Sequence, residues 1–342
     1  MAKLAYGQKD GKGLSYSRLL TAHSCPRKFQ IENIFNAAND KTNVHFAFGH
    51  AVAAGVQQLV AEPGNLNKAV VACFAAWDIA IHESLDSKKK SLTYAVQAVK
   101  QFHALVSNPA TSLLRKYEIA VFPDHTGTLI PAIELTFCIK CHDGYTYEGH
   151  IDLVLKERGT NKYLVLELKT TSFTNIHEAM YKNSAQALGY SIVLDSISNV
   201  LGATNSYYVL YLIYKAGALE YETMLFPKNR VQRAKFINSL ILDIEVLELY
   251  RLTGIYPTRG ESCYEFFSPC DYFGLCDYDD EALTRVLGVG TDSHVETFDT
   301  IQQFNFTFDL DDIKQHQLTA IQQDMITADS TQDPLTVSPL RP

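Results

Sequence analysis

The second of two neighbouring β-prone segments ends in charged residues, at a position where a strand would leave the core. Tyr145 to Leu155 and Tyr163 to Lys169 are separated by a polar stretch containing Gly and Asn, so we predict a β-hairpin. Side chains alternate along a strand, which places Glu167 and Lys169 on one face and the neighbouring leucines on the other. The first strand can bring Asp152 beside them.

Two carboxylates and a lysine in this arrangement suit metal-assisted hydrolysis of a phosphodiester. Mg²⁺ and Mn²⁺ prefer oxygen ligands, and Asp152, Glu167 and a main-chain carbonyl would supply them while leaving room for water and a phosphate oxygen. Lys169 would stay cationic and could orient the attacking water or meet developing negative charge. The alternative is that all three are solvated surface residues, as most carboxylates are.

A helical pattern from Tyr181 to Leu194 follows the hairpin. Gln186 and Tyr190 stand at i and i+4, so they project from one face of the predicted helix. For Tyr190, a role as a core tyrosine is the alternative to a role in a site.

In this order the motifs resemble those of a known nuclease superfamily. Gly149-x-x-Asp152, Glu167-Leu168-Lys169-Thr170 and Gln186-x-x-x-Tyr190 are similar to the successive motifs of PD-(D/E)XK nucleases of the RecB-like branch. That branch includes the RecB and AddB nuclease domains, CRISPR-associated RecB-like exonucleases and phage-encoded exonucleases. Ser15-Tyr16-Ser17 leading into Cys25-Pro26, and a late cysteine cluster, extend the resemblance over residues 14 to 276.

The resemblance implies a role for each motif residue. Asp152 and Glu167 would bind the catalytic Mg²⁺ or Mn²⁺, with the backbone carbonyl of Leu168 as a further ligand. Lys169 would be the catalytic lysine. Gln186 and Tyr190 would be catalytic-site residues that position the lysine or the nucleic-acid backbone.

One expected metal ligand of the family is absent. A histidine commonly follows the glycine of the first motif by four residues, whereas Gly49 is followed there by Ala53. His50 lies three residues before that position, and i and i+3 neighbour each other on a helix, so His50 is a candidate metal ligand. His45 is a poorer candidate, and a structural role is the alternative for both histidines.

Four of the seven cysteines stand out by position. Cys25 precedes Pro26, and Cys263, Cys270 and Cys276 lie in a loop rich in Pro, Gly and aromatic residues. Four thiolates can hold a [4Fe-4S] cluster or Zn²⁺, and reduced structural thiols are a third possibility. The layout is similar to that of iron-sulfur nucleases of the RecB-like branch, which implies an iron-sulfur cluster clasping the two ends of the nuclease region.

The seven cysteines follow no regular framework, and the polar start of the chain shows no secretory signal. We therefore expect a reducing, cytoplasmic setting, in the cytoplasm of a bacterium or of a phage-infected host. No apolar run is long enough to cross a bilayer, so no membrane is expected.

The predicted fold class is α/β, a mixed central sheet flanked by helices as in the restriction-endonuclease-like core. An N-terminal helical insertion and a C-terminal cysteine-rich segment would elaborate it. We divide the chain as follows: an N-terminal tail 1–14, a nuclease domain 15–276 (helical insertion 44–116, catalytic core 117–226, long helix and cysteine cluster 229–276), and an acidic, partly flexible tail 277–342.

The net charge of −8 is concentrated at the end of the chain. Residues 277–342 carry a net charge of −10, whereas residues 1–276 carry +2, so the acidity does not exclude a nucleic-acid enzyme. We expect flexibility beyond Asp324. Phe298, Phe304, Phe306 and Phe308 could form a short strand or a partner-binding segment, and the tail could mimic nucleic acid, dock a protein partner, or be a solvated end.

The sequence therefore predicts a Mg²⁺- or Mn²⁺-dependent deoxyribonuclease, acting on DNA ends or single strands in recombination, repair or phage replication. An exonuclease is favoured over a site-specific endonuclease because no element for reading base sequence is visible. The rival prediction is a non-catalytic DNA-binding or recombination scaffold that keeps the nuclease fold. An iron-sulfur redox enzyme is disfavoured because no glycine motif for nucleotides accompanies the cysteines.

Overall fold

A mixed β-sheet forms the centre of the molecule. The computed structural model describes residues 11–37, 44–78, 90–110, 112–202, 204–265, 268–287, 304 and 306–331. The strands in these ranges are β1 (Gly13–Leu14), β2 (Tyr117–Ile119), β3 (Val121–Pro123), β4 (Leu129–Pro131), β5 (Ile133–Lys140), β6 (Thr146–Glu157), β7 (Lys162–Thr171), β8 (Thr204–Lys215), β9 (Glu220–Pro227), β10 (Tyr264–Glu265), β11 (Ser268–Pro269) and β12 (Phe306–Asp309).

Helices cover both faces of this sheet. They are α1 (Tyr16–Ser24), α2 (Pro26–Phe29), α3 (Val44–Ala61), α4 (Leu66–Ala75), α5 (Leu92–Ser107), α6 (Glu178–Lys182), α7 (Ala185–Val200), α8 (Arg230–Thr253), α9 (Asp280–Leu287) and α10 (Leu310–Thr331). A single π-helical turn, Gln30–Ile34, follows α2.

The main sheet has the strand order β12-β5-β6-β7-β8-β9, and the short strands β1 and β2 also pair with β6. The pairs β5–β6, β6–β7 and β8–β9 are antiparallel, whereas β7–β8 and β12–β5 are parallel. The predicted fold class, a mixed sheet flanked by helices, is confirmed. The predicted hairpin is the pair β6–β7.

Alternating apolar residues separate the two faces of the sheet. On β7, Leu164 and Leu166 pack with α3, α4 and α5 in a cluster that we call the insertion-side core. Tyr163 and Val165 pack with α7, α8 and α10 in a second cluster, the α7-side core. Each such leucine or valine that is fully buried contributes about 1.5–3 kcal/mol, so β7 is held in place from both faces of the sheet.

Local sequence signals set the ends of two helices. Ser15 accepts a hydrogen bond from the Arg18 backbone N–H at 3.3 Å, as expected of a residue that precedes a helix. Asn229 and Gln232 form a reciprocal capping box at the start of α8, and Gly254, at φ 67°, ends that helix. The predicted long helix over 229–253 is therefore observed.

Part of the predicted acidic tail is folded onto the sheet. Strand β12 pairs with the edge strand β5, so Phe306 and Phe308 do form a short strand. Gln317 of α10 donates to Asp195 of α7 at 2.6 Å, and Arg233 of α8 lies 3.0 Å from the same carboxylate. Helix α10 continues to Thr331, beyond the predicted start of flexibility. Phe298 and residues 332–342 lie outside the described ranges.

None of the helices in the described ranges is both long and apolar enough to span a bilayer.

Candidate active site

Strands β6 and β7 separate where their charged residues begin. Their pairing runs from Lys156–Tyr163 to Leu153–Leu166 and stops there. Asp152 comes next on β6, and its carboxylate accepts a hydrogen bond from the Leu168 backbone N–H at 2.7 Å. The side chain of Asp152 thus bridges the opening between the strands, which fixes it beside β7.

A chain of polar contacts links β7 to α7. Glu167 Oε1 lies 2.7 Å from Lys169 Nζ, and Lys169 donates to Gln186 Oε1 at 3.0 Å. Gln186 in turn donates to the Tyr190 hydroxyl at 2.9 Å. The four side chains predicted from two separate motifs therefore meet in one network, with the lysine held between a carboxylate and an amide oxygen.

Burial differs sharply within this network. The Glu167 side chain is 1 % exposed, whereas that of Lys169 is 37 % exposed. Glu167 Oε2 is buried and accepts no hydrogen bond from the described residues. A buried carboxylate oxygen without a hydrogen-bond donor lowers the stability of the fold, so Glu167 Oε2 would gain from binding a ligand. Lys169 is accessible to a substrate.

The carboxyl groups of the site perturb one another. Burial and the charge of Glu134 on β5 raise the pKa of Asp152 to about 7. Burial and the charge of Asp152 raise the pKa of Glu167 to about 8. Burial alone would lower the pKa of Lys169, but the Glu167 and Asp152 charges outweigh it and raise that pKa. Lys169 is therefore cationic at neutral pH, beside acids that a bound cation would hold in the ionised form.

The donor set fits a hydrated divalent cation. No group of three or more His, Cys, Asp and Glu side chains within the described ranges is arranged to hold a metal ion. Mg²⁺, however, usually keeps several waters and needs only one or two carboxylates. Asp152 and the partnerless oxygen of Glu167 meet that need. The predicted Leu168 carbonyl has no contact that tests its role, and it stays a prediction.

A cavity of about 350 Å³ opens beside Asp152. Its walls include Ser15, Ser17 and Arg18 at the start of α1, and Gln186 and Tyr190 of α7. Phe304 and Phe306, from the predicted tail, close another side. The volume is in the range of small-molecule sites, so the cavity can receive a small ligand beside Asp152.

Helix α3 passes over the end of β7, but its histidines do not complete the site. A Cβ atom built on Gly49 would lie 3.5 Å from Thr170 Oγ1, so the first motif does face the catalytic strand. His50 and His45 are exposed, and neither joins a group of ligands in the described part of the chain. His50 as a metal ligand thus remains a prediction without a supporting contact.

Sequence reasoning missed two residues near the centre, Glu134 and Gln57. Gln57 of α3 donates through Nε2 to Glu134 Oε1, and the Glu134 charge acts on Asp152. Neither residue stands at a motif spacing from Asp152, so no local signal could have found them.

The four predicted cysteines lie near one another. Cys25 is buried, the other three are half-buried, and none forms a disulfide. Burial and then the charges of Cys25, Cys270 and Cys263 raise the pKa of Cys276, so each of the three lies within electrostatic range of Cys276. They are not arranged as a metal-holding group in the described structure.

Hydrogen bonds also join the two chain segments that carry these cysteines. Ser262 donates to the Ser24 carbonyl at 2.7 Å, and Arg27 donates to the Tyr278 carbonyl and to Asp280. Protein contacts therefore join the two ends, whereas a clasp formed by an iron-sulfur cluster stays a prediction. What the thiols bind stays a prediction.

Comparisons with known proteins agree with the geometry at the level of the family. No curated protein matches the chain. A similar solved structure is that of a putative exonuclease from Eubacterium rectale, with 10 % sequence identity, 85 % of this chain and 94 % of that chain covered, and a TM-score of 0.45. That likeness has no bearing on activity. A profile of the PD-(D/E)XK nuclease superfamily matches residues 13–278, which include the predicted catalytic residues and the four cysteines. The chain therefore belongs to the PD-(D/E)XK nuclease superfamily.

Proposed function

We propose that the protein is a Mg²⁺- or Mn²⁺-dependent deoxyribonuclease of the RecB-like branch. The observation that carries the proposal is the contact between Glu167 and Lys169 at the opening of the β6–β7 pair, with Asp152 beside them. Nucleases of this superfamily usually use Mg²⁺ or Mn²⁺. Such a cation, when bound, polarises the scissile phosphate and acidifies water.

Each side chain then has a distinct task. Asp152 and Glu167 hold the cation, and the Leu168 N–H fixes the Asp152 carboxylate in place. Lys169 keeps its proton and presents a positive charge to the phosphate or the attacking water. Gln186 orients Lys169 through its amide oxygen, and Tyr190 accepts a hydrogen bond from Gln186, which fixes the amide.

An exonuclease on DNA ends or single strands is the form of activity that we favour. The cavity beside Asp152 has room for about one nucleotide, and the sequence shows no element for reading base edges. Roles in recombination, repair or phage replication would all use this activity.

The test is a cleavage assay with end-labelled linear DNA, closed circular DNA and RNA, each in Mg²⁺, Mn²⁺ or EDTA. We expect cation-dependent release of mononucleotides or short products from linear DNA, with circular DNA intact. Lys169→Ala should remove this activity. Lys162→Ala, at the exposed start of the same strand, is the matched control and should cleave normally.

We further propose that Cys25, Cys263, Cys270 and Cys276 hold a [4Fe-4S] cluster, with Zn²⁺ as the alternative. The proximity of four thiols that form no disulfides supports it. The cluster would be structural and would suit a reducing cytoplasm. Iron, sulfide and zinc analysis of anaerobically purified protein decides between the metals. The absence of all three would leave reduced thiols.

A protein partner for the acidic end of the chain is a separate proposal, which rests on the net charge of residues 277–342. Because β12 and α10 pack on the sheet, a truncation must spare them. Removal of residues 332–342 would remove no net charge, because Asp333 and Arg341 cancel. Replacing Asp292, Glu296 and Asp299 by Asn, Gln and Asn should instead weaken complex formation without changing cleavage of DNA. Unchanged complex formation would leave a solvated end.

The second candidate function is a non-catalytic DNA-binding scaffold, which the Ala53 substitution for the family histidine favours. It predicts DNA binding without cleavage under any cation, and equal binding by wild type and Lys169→Ala. Cation-dependent cleavage by the wild type alone rejects it.

A further inference from the structure

Glu134 faces Asp152 from the neighbouring strand. The β5–β6 register pairs Ile133 with Leu153 and Leu135 with Ile151, so Glu134 stands between these pairs, opposite Asp152. The β6–β7 register continues through Leu153–Leu166, which leaves Glu167 opposite Asp152 on the other side. Three carboxylates therefore lie in a row across β5, β6 and β7.

The sheet is irregular at this row. Ile133 and Leu153 pack in the insertion-side core, whereas Leu135 and Ile151, two residues away on the same strands, pack in the α7-side core. Regular alternation would place residues i and i+2 on the same face. The face therefore switches at Glu134 and Asp152, and irregularities of this kind re-aim side chains next to active sites.

Glu134 adopts a backbone conformation that is unfavourable for its residue type. Its φ is 47°, a region that costs a non-glycine residue about 1–3 kcal/mol when the surroundings impose it. The Glu134 carboxylate accepts a hydrogen bond from the Gln57 side chain, and Gln57 is 9 % exposed. Helix α3 and the sheet together thus fix Glu134 beside the two other acids.

Gln57 lies one helical turn beyond Ala53, the position at which the family places a histidine. Since i and i+4 share a helix face, Gln57 projects from α3 on the same side as Ala53. Its amide donates a hydrogen bond to Glu134.

The charges of the row call for a cation. Partial burial and the charge of Glu167 raise the pKa of Glu134, against the Gln57 hydrogen bond. Among the described residues, the positive charge that acts on Asp152 and Glu167 is that of Lys169, so three ionised carboxylates would leave the centre with excess negative charge. Glu167 Oε2 is buried and receives no hydrogen bond from the described residues, so it can accept a ligand.

We propose that Glu134 is a third carboxylate of the cation site, acting on the waters of a hydrated Mg²⁺ or Mn²⁺, and that Gln57 is its positioning residue. The proposal rests on the proposed function, because it needs the cation at Asp152 and Glu167. Contact through water agrees with the finding that the described side chains do not form a three-ligand group.

The experiment measures Mn²⁺ binding directly, by electron paramagnetic resonance of free Mn²⁺ in the absence of DNA. Glu134→Gln should raise the Kd about tenfold, as loss of an outer partner of a metal site does. Gln57→Leu should raise it by a smaller factor, and adding Gln57→Leu to Glu134→Gln should cause no further change, because the two residues act as a unit. Glu157→Gln, at the far end of β6 and paired with Lys116, is the charge-matched control and should bind normally.

Each outcome bears on one claim. If Glu134→Gln binds Mn²⁺ within twofold of the wild type while Asp152→Asn loses binding, the role of Glu134 is rejected and the proposed function stands. If Asp152→Asn binds normally, the cation site itself is rejected. Should Glu134→Gln prove unstable in thermal melts, Glu134→Asp withdraws the carboxylate but keeps its charge, and unaltered binding by both Glu134→Asp and Gln57→Leu overturns the proposal.

Discussion

The catalytic opening and the cysteine segment are built in opposite ways. Asp152 and Glu167 lie within the long strands β6 and β7, at the point where the pairing of the two strands stops, next to leucines that are buried on the insertion side. The cysteine segment, residues 256–278, contains short 3-10 turns and the two-residue strands β10 and β11. Among the described residues, the buried members of its apolar cluster are Ile31, Tyr272 and Leu283.

The two regions are stabilised by different interactions. Apolar burial on both faces of the sheet fixes the catalytic side chains before any ligand binds. The cysteine segment has little apolar burial of its own, so it depends on hydrogen bonds such as that from Arg27 to the Tyr278 carbonyl. The proposed cluster or Zn²⁺ would add to these hydrogen bonds. We therefore expect loss of a thiol to damage stability, and loss of a carboxylate to damage activity.

The largest effect is expected at Glu167. Glu167→Gln should lower the rate of DNA cleavage by about 10³-fold or more, because a cation ligand is lost. At about pH 9, above the raised pKa of Glu167, the same change should increase the melting temperature of the metal-free protein, because it removes a buried negative charge that burial and the Asp152 charge destabilise. Cleavage rates and metal-free melts measure both effects. A variant that is inactive because it is unstable would contradict the comparison.

The cysteine segment should respond in the opposite sense. Cys25→Ser should destabilise the protein by about 2–4 kcal/mol if a bound cluster or Zn²⁺ is lost, and limited proteolysis should begin near residues 254–278. Cys138→Ser, on β5 and away from the segment, is the control. Equal melting temperatures for Cys25→Ser and the wild type would show that the thiols bind nothing structural.

An intermediate effect is expected from the residues that hold Lys169. Gln186→Leu should lower kcat by about 10- to 100-fold, because Lys169 loses the amide that orients it, while Mn²⁺ affinity should stay unchanged. Tyr190→Phe should act in the same direction but less, since it removes only the acceptor for Gln186. Weakened Mn²⁺ binding in either variant would mean that this network holds the cation ligands instead.

The smallest effect is expected at Lys228, a buried lysine that contacts the backbone at the end of α6. Its ammonium donates to the Tyr181 and Lys182 carbonyls, and burial lowers its pKa to about 8. The unfolded chain keeps this proton up to about pH 10.4, so the free energy of unfolding should rise between about pH 8 and 10. Lys228→Met should lack this part of the rise, as measured by denaturant titration at several pH values. An identical pH slope in both proteins would contradict it.

Sequence reasoning succeeded where the signal is local. Glu167 and Lys169 share one strand, and Gln186 and Tyr190 share one helix turn, so their spacing alone predicted two pairs that the structure joins. The hairpin followed from a polar break between two β-prone segments. These features depend on strand and helix periodicity, which a sequence displays directly.

The remaining parts depend on contacts between distant segments. Glu134 reaches the centre because its φ is positive and Gln57 of α3 holds it, and neither fact has a local signature. The parallel pairing of β12 with β5 likewise joins residues far apart in the chain. The sequence offered a short strand in the tail but could not show that this strand pairs with the main sheet. His50 was predicted from its spacing to Ala53; it is exposed on α3, and its role as a metal ligand stays a prediction.

The most direct measurement of the central claim compares cleavage of linear DNA in Mn²⁺ by the wild type, Lys169→Ala and Lys162→Ala. Lys169 joins the carboxylate pair to the Gln186–Tyr190 network, whereas Lys162 shares its strand but lies at the opposite end. We predict that Lys169→Ala folds, retains Mn²⁺ binding and loses cleavage, while Lys162→Ala cleaves as the wild type does. Cleavage by folded Lys169→Ala at the wild-type rate would contradict the account.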